Sequence, residues 1–468
     1  MYSSEARERR LQRAVMLMVS ATAFANALML SAANVALPDI ARELKMDAVL
    51  LNWIPLAYLT AGAMLVLSFG RLADMYGRKK ILLGGTVAVI VTSILAATAT
   101  NATSLIVFRL LQGAGAATSL VAFISIVSSA IPAESRGRGF GLVAATVYLG
   151  LSVGPLIAGF VIDLVGWRWA FVMHLPFAFI GLYVGLWVVR IDWKAEHRGR
   201  FDFQGAIVYA LAILGVAYGI AMLPAPSAIS FFVAGCFGLL LFAKIEMRVA
   251  DPLFNVRLFR SHPLFTLSCA AALLMYAASF STLGLISLYF QYVRSMSAQT
   301  TGLLLMAQPV TIALFARHAG SLADRFEPRI LASIGIATTG VGLVMLSMLG
   351  ESTSITYIVA SLVISGYGFC LFAPVNASAV MSSVEPIHFG TASAGHASFK
   401  VIGQMMSMAV VTLIFGSLIG RVEIGAENFD SLQRSIRLSF AFAAALCAPA
   451  VVISALRGSI RTDNLSIE

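Results

Sequence analysis

Apolar residues gather in long blocks along this chain, and the polar residues collect in the short intervals between them. A helix needs about 20 mostly apolar residues to cross the hydrocarbon of a bilayer. Fourteen blocks meet that length, at 14–37, 50–69, 81–99, 103–130, 139–162, 169–189, 203–223, 227–246, 263–290, 299–317, 330–349, 354–376, 391–418 and 435–456. The pattern predicts an all-α integral membrane protein with fourteen transmembrane helices. The first block follows a polar arm, Met1 to Arg13, and exceeds a signal-peptide core in length, so it reads as a first span. An even number of crossings returns the chain to the side from which it began.

The basic residues predict which side that is. Of the Lys and Arg in loops, 23 fall on the side of the N-terminus and 7 on the other. Cytoplasmic loops carry that excess, so both termini are expected in the cytoplasm of a cell-membrane protein. Composition agrees. Residues of the AVILMFWYC set make up 59% of the chain and charged residues 12%, against about 25% charged in a soluble domain. That excludes a soluble enzyme, a disulfide scaffold and a disordered tail protein, and lipid is the expected surrounding partner. The net charge of +10 is loop charge of this kind and does not point to nucleic acid. Cys236, Cys269, Cys370 and Cys447 sit in apolar runs without CxxC spacing, as buried free thiols do. The chain has no GxxxxGK[ST] loop, no HExxH and no histidine spacing suited to a metal. No enzyme activity, cofactor or metal is expected.

One loop occurs twice. Gly70-Arg71-Leu72-Ala73-Asp74-Met75-Tyr76-Gly77-Arg78-Lys79-Lys80 follows the second span, and Gly320-Ser321-Leu322-Ala323-Asp324-Arg325-Phe326-Glu327-Pro328-Arg329 follows the tenth. Both lie on the same side, so the repeat is parallel. A six-helix unit would place the second copy after span eight, so two helices are inserted between the copies. The expected layout is a first bundle at 1–190, two inserted helices with linkers at 191–262, and a second bundle at 263–468. Glycine permits the tight turn. Asp74 is expected to pair with Arg78 or with a helix N-terminus, in a contact between halves that one state makes and another breaks. Gly70, Asp74, Gly77, Arg78, Asp324 and Arg325 are therefore the candidate gate, although Glu327-Pro328 replaces Gly-Arg in the second copy.

Polar residues inside spans cost energy and mark candidate function. Arg109, with Gln112 and Gly113 on the same face, forms one such stripe. Gly150, Gly154 and Ala158 give a small-residue face for close helix approach, with Pro155 expected to kink that span. Ser393, His396, Lys400, Gln404 and Ser407 share one helical face, read either as a wet cavity wall or, for Lys400, as a snorkelling side chain. Polarity within apolar runs nominates Asn26, Asn34, Tyr58, Gln112, Tyr148, Gln308, His396, Lys400 and Gln404 as the substrate path.

Together these residues resemble the major facilitator superfamily, in its fourteen-helix drug:proton antiporter branch. Gly70 to Lys80 is similar to the signature loop and Leu105 to Ala117 to the fourth-helix motif. Gly141, Gly150, Gly154-Pro155 and Gly159 resemble the fifth-helix antiporter motif, with Ala158 where glycine is usual. Asn34 to Pro38 and Trp167-Arg168-Trp169 also match. The resemblance implies two six-helix bundles, a proton gradient as energy source, efflux of amphiphilic small molecules and a coupling role for Arg109; His396 and Lys400, ionisable within a span, are further coupling candidates. A monomer fits that reading. One departure stands out: Met29 occupies the place of the branch's acidic residue in helix one, and Asp163, near an outer end, is the nearest acid to any span centre. That turns the expectation toward neutral or anionic amphiphiles. The rival expectations are import of an organic anion or metabolite on the same fold, and a membrane sensor that transports nothing.

Overall fold

The computed structural model describes residues 2–132, 136–194, 199–323, 325–385 and 389–458. Fourteen of its helices are long and apolar enough to span a membrane. They are α1 (Arg7–Leu44), α2 (Ala48–Tyr76), α3 (Arg78–Ala97), α4 (Ala102–Ala130), α5 (Arg138–Val165), α6 (Trp167–Val188), α7 (Phe203–Met222), α8 (Pro226–Glu246), α9 (Pro263–Val293), α10 (Ala298–Ala316), α11 (Pro328–Ser347), α12 (Ile355–Ser382), α13 (Gly390–Leu418) and α14 (Ala426–Ala455). Short polar side chains start several of them by accepting otherwise orphaned backbone N–H groups. Asp47 accepts from Val49 N and Leu50 N, Asn101 from Ser104 N, Asp202 from Gly205 N and Ser354 from Tyr357 N.

The helix pairings repeat. α1 packs on α5 and α6, and α4 packs on α2 and α3; correspondingly α9 packs on α13 and α14, and α12 on α10 and α11. Two further pairings, α5 with α10 and α2 with α13, join the first six helices to the last six. α7 and α8 form a hairpin, and α7 lies against both α2 and α13. The inserted pair thus rides on one of the two seams.

Contacts between the first and last six helices gather toward the face opposite the N-terminal arm, here the far face. The glycines make them possible. A methyl group on Gly159 would collide with the carbonyl of Ala298, and one on Gly302 with the carbonyl of Pro155, so α5 and α10 meet backbone to backbone. Gly150 and Gly154 serve a different neighbour: Gly150 faces Ala27, and Gly154 faces Ser31, both on α1. α5 runs as one helix through Pro155. Further along, Gln299 N donates to Asp163 Oδ2 at 3.0 Å, Gln291 Nε2 to the Val35 carbonyl at 2.9 Å, and Ala48 N to the Val422 carbonyl at 3.0 Å. Asp163 therefore supplies negative charge to the first turn of α10, where it is favoured.

Burial along one face of α5 records the same asymmetry. Gly141 and Ala145 are exposed, Tyr148 is half-buried, and Ser152, Pro155 and Gly159 are buried. On α10 the trend matches along the face of Gly302, from buried Gly302 and Pro309 to exposed Ala313 and Ala316. The seam is shut at the far face and accessible from the face of the N-terminal arm. On that accessible face Arg457, past the end of α14, donates to Asn376 Oδ1 at 2.5 Å and Ser268 Oγ at 3.3 Å, tying α14 to α12 and α9. Burial draws its guanidinium down to about 10, which still leaves it charged at neutral pH.

Asp47 and Glu423 form an isolated antiparallel bridge across the far face, a pairing whose Cα atoms stand about 4.5–5.5 Å apart, within disulfide reach. We expect Asp47→Cys with Glu423→Cys to oxidise readily to a disulfide in a background lacking the four native cysteines. A polar thiol reagent should then label Ala145→Cys as fast in the cross-linked protein as in the reduced one. A pair that will not oxidise, or a cross-link that protects position 145, contradicts the far-face seal.

Candidate functional site

The first copy of the repeated loop is a clasp built within the first six helices and their following linker. Gly77 adopts φ 122°, a conformation open chiefly to glycine, and a methyl there would collide with the Asp192 carboxylate. Arg78 donates to Asp74 Oδ1 from Nε at 3.0 Å and from Nη2 at 2.9 Å, one of the two pairings the sequence left open, made within the first six helices and not between the halves. The same guanidinium reaches the Ser125 carbonyl at 3.1 Å and the Ser129 hydroxyl, both on α4. Asp192 accepts from Lys79 N at 2.8 Å, Arg78 N donates to the Trp193 carbonyl at 2.9 Å, and Lys79 Nζ to the Val189 carbonyl at 2.6 Å. Arg71, 3.5 Å from Asp251 Oδ1, adds a contact to the linker before α9. Gly70 lies beside Val121 of α4 at 3.7 Å from an ideal methyl. In the second copy Gly320 and Arg325 are exposed, and Asp324 lies outside the described residues.

Arg109 is fully buried. Gly113, one turn on, lets α4 press against the backbone of α2, because a methyl there would collide with the Tyr58 carbonyl. That approach brings Arg109 Nε within 3.2 Å of the Ile54 carbonyl and sets its guanidinium 4.5 Å from the Tyr58 ring centroid and 5.8 Å from that of Phe171. Both rings offer a negative π face. Arg109 Nη1 also bonds Gln112 Oε1, and Gln112 Nε2 donates to Ser93 Oγ at 2.6 Å. Ser93 Oγ stands 3.3 Å from His174 Nε2 and 4.0 Å from Met29 Sδ. Among the described residues no carboxylate enters this cluster. Gln112 and Tyr58, nominated for the substrate path, are thus engaged with Arg109 and buried.

On α13, Lys400 is partly accessible, and its Nζ lies 5.3 Å from the Tyr276 ring centroid on α9. Gly403 permits that approach, since a methyl there would collide with the Leu273 carbonyl. Tyr148 of α5 lies within electrostatic reach of Tyr276, so a side chain of the first six helices approaches the Tyr276–Lys400 pair. His396, one turn earlier, is half-buried with Nδ1 unpartnered, and Asn26 and Gln404 are also half-buried. Asn34 Oδ1 faces Gly284 of α9, 3.4 Å from an ideal methyl. Gln308 is buried and donates to Ser365 Oγ at 3.4 Å, within the last six helices. Trp167 and Arg168 prove to be a brace: both donate to Glu43, and Arg168 reaches the Ala99 carbonyl at 3.1 Å, joining the far ends of α1, α3 and α6.

Sequence reasoning missed two members of the Arg109 cluster. His174 reads as one of six scattered histidines, and Ser93 as one serine among many. Their partnership spans 81 residues, so no local spacing announces it.

The chain is similar to known transporters along most of its length. It is 29% identical to "Uncharacterized transporter YebQ" of Escherichia coli (strain K12), over 82% of this chain and 84% of that protein. It is 28% identical to "Multidrug resistance protein Stp" of Mycobacterium tuberculosis, covering 81% and 71%, and 24% identical to "Riboflavin transporter RibZ" of Clostridioides difficile, covering 89% and 90%. The crystal structure of peptide transporter POT in complex with sulfate superposes at a TM-score of 0.70 over 96% of this chain and 95% of that one, at 15% identity, which shows a shared fold. The sequence profile described as Major Facilitator Superfamily matches residues 19–283 and 267–463. The helix pairings, the twice-used loop and these matches together make this chain a multi-pass membrane transporter that belongs to the major facilitator superfamily.

Proposed function

We propose that this transporter exports neutral or anionic amphiphilic small molecules by alternating access, driven by a proton gradient, with both termini in the cytoplasm. The observation that carries the reading is Lys400. It is a partly accessible cation on the seam, set against the aromatic face of Tyr276, and it makes no salt bridge among the described residues. A site of one cation and aromatic rings favours a flat apolar body, with or without a negative group, over a lipophilic cation. The side chains converging there, Tyr148, Tyr276 and Lys400, come from both halves, which is where a transported molecule must pass. With the termini in the cytoplasm, the far-face seal corresponds to an inward-facing state that loads from the cytoplasm or inner leaflet. The likeness to Stp supports efflux. The likeness to the riboflavin transporter RibZ supports a second reading, movement of a metabolite, which on this fold could run inward. Flux across an imposed pH gradient in proteoliposomes separates the two, using a panel of anionic, neutral and cationic amphiphiles.

Three outcomes are expected. Lys400→Met should weaken apparent affinity for anionic compounds about tenfold, or about 1.4 kcal/mol, while neutral ones change little and Lys400→Arg behaves like the parent. Equal loss for every charge class makes Lys400 a packing residue. Asp74→Asn should slow turnover several-fold with little loss of membrane abundance, since a partly solvated ion pair contributes at most about 1 kcal/mol of stability. Asp324→Asn should be milder, and two mutants with parental turnover remove the gate assignment. Cysteines placed in the N-terminal arm and at Lys194 should be shielded from impermeant reagents in intact cells; labelling of either from outside reverses the topology.

A further inference from the structure

The hydrogen atoms of the Arg109 cluster can be assigned from its heavy atoms. Gln112 turns its carbonyl toward the Arg109 guanidinium, so its amide NH2 is the group that meets Ser93 Oγ. The serine has one hydrogen to give, and the Val89 carbonyl takes it at 2.6 Å. The remaining contact, 3.3 Å to His174 Nε2, is then an Nε2–H donating to the serine oxygen. That tautomer leaves His174 Nδ1 as a bare lone pair. Nδ1 is buried without a partner, in a side chain with no solvent exposure. Arg109 Nη2 is likewise buried and unpartnered. An unfilled acceptor at the end of a hydrogen-bonded chain that begins on a fixed cation is a seat for a proton.

We propose that His174 Nδ1 is a proton-binding site that controls the far-face seal. The step is simple in its balance: a proton adds to the Nδ1 lone pair, giving an imidazolium, and later leaves from the same nitrogen, with no other bond changed. Its consequence comes from its neighbours. Arg109 on α4 is the charged group facing His174; α3 offers Ser93 and α1 offers Met29, neither ionisable, and Tyr58 on α2 faces Arg109. A protonated His174 therefore places a second positive charge beside Arg109 with no carboxylate between them, a cost the packed cluster bears and a hydrated one sheds. A ligand shifts an equilibrium only through unequal affinity for its two states, and this proton has it: it favours the arrangement with the far face open. Protonation from the far side and release after closure would drive the cycle in the direction of efflux. This inference rests on the proton-coupled reading above, and it makes position 29 a probe, since a carboxylate placed beside Ser93 would neutralise the cluster.

The test reads the seal itself. Spin labels on Thr100→Cys and Glu351→Cys, exposed far-face positions in the two halves, report its opening in nanodiscs, in a background without native cysteines. Between pH 8 and pH 5 the long-distance population should rise about fivefold or more in the parent. It should stay flat in His174→Gln and His174→Asn. Met29→Asp keeps the histidine and should flatten the response too, because its carboxylate compensates the second charge. A parent insensitive to pH overturns the proposal. So does a response that survives in both histidine variants, or one lost only in Glu246→Gln, which alters the buried carboxylate at the end of α8. Flux of the neutral probe N-phenyl-1-naphthylamine and the anionic probe 1-anilinonaphthalene-8-sulfonate is measured alongside. A His174-dependent seal combined with flux that ignores the pH gradient leaves the proton site standing and removes the coupled-export reading.

Discussion

A guanidinium held in a lipid-embedded bundle without a carboxylate is the constraint around which the first six helices are arranged. An uncompensated charge at that depth costs several kcal/mol or more, so its surroundings must supply what a counter-ion would. Here the supply is a backbone carbonyl at Ile54, two aromatic faces from Tyr58 and Phe171, and an amide dipole from Gln112. Each dictates local structure. The carbonyl is reachable because Gly113 lets α4 touch the α2 backbone. The amide fixes the orientation of Ser93, and through it of His174. Four helices are thereby locked in register by one side chain that carries the wrong kind of charge for its solvent.

The last six helices repeat the pairings of the first, but not the charge. Their deep cation, Lys400, stands on the seam with one aromatic neighbour. The seam is sealed by main-chain contacts at Gly159 and Gly302, by Asp163 at the start of α10 and by the short bridge at Asp47. Such contacts are individually weak and depend on close approach, so they form and part as a set. A seal of that kind is bistable, which is what alternating access requires. The inserted hairpin lies over one seam, and the linkers around it reach the signature loop through Asp192 and Asp251.

Much of this was legible in the sequence, for physical reasons. Helix number and type follow from the length an apolar run needs in lipid, and the fourteen blocks correspond to the fourteen spans. The Asp74–Arg78 pair was readable as one of two options, because a tight glycine turn brings the end of α2 back beside the start of α3. The glycine faces were legible as packing, though not their division, with Gly150 and Gly154 toward α1 and Gly159 toward α10. What sequence could not disclose was convergence across helices. Tyr58 and Gln112 read as lining of a substrate path, with Gln112 also on the face of Arg109, because polarity in a span marks a residue as special without saying who satisfies it. His174 was passed over for the same reason.

The charges left inside the protein are all of one sign until α8 ends. Arg109 and Lys400 lie at depth, and among the described residues Glu246, at the end of α8, is the buried carboxylate. In a low dielectric such an imbalance is long-ranged. It raises the energy of any further cation entering the interior and lowers that of an anion or a polarisable ring. In the function and proton site proposed above, two consequences share this cause. A passing molecule is selected for the charge it lacks or the negative charge it brings, at Lys400. A proton is tolerated or refused according to how tightly the Arg109 cluster is packed, at His174. In that reading selectivity and coupling share one cause, an interior whose deep charges are positive, with Met29 rather than a carboxylate beside the serine shared by Gln112 and His174.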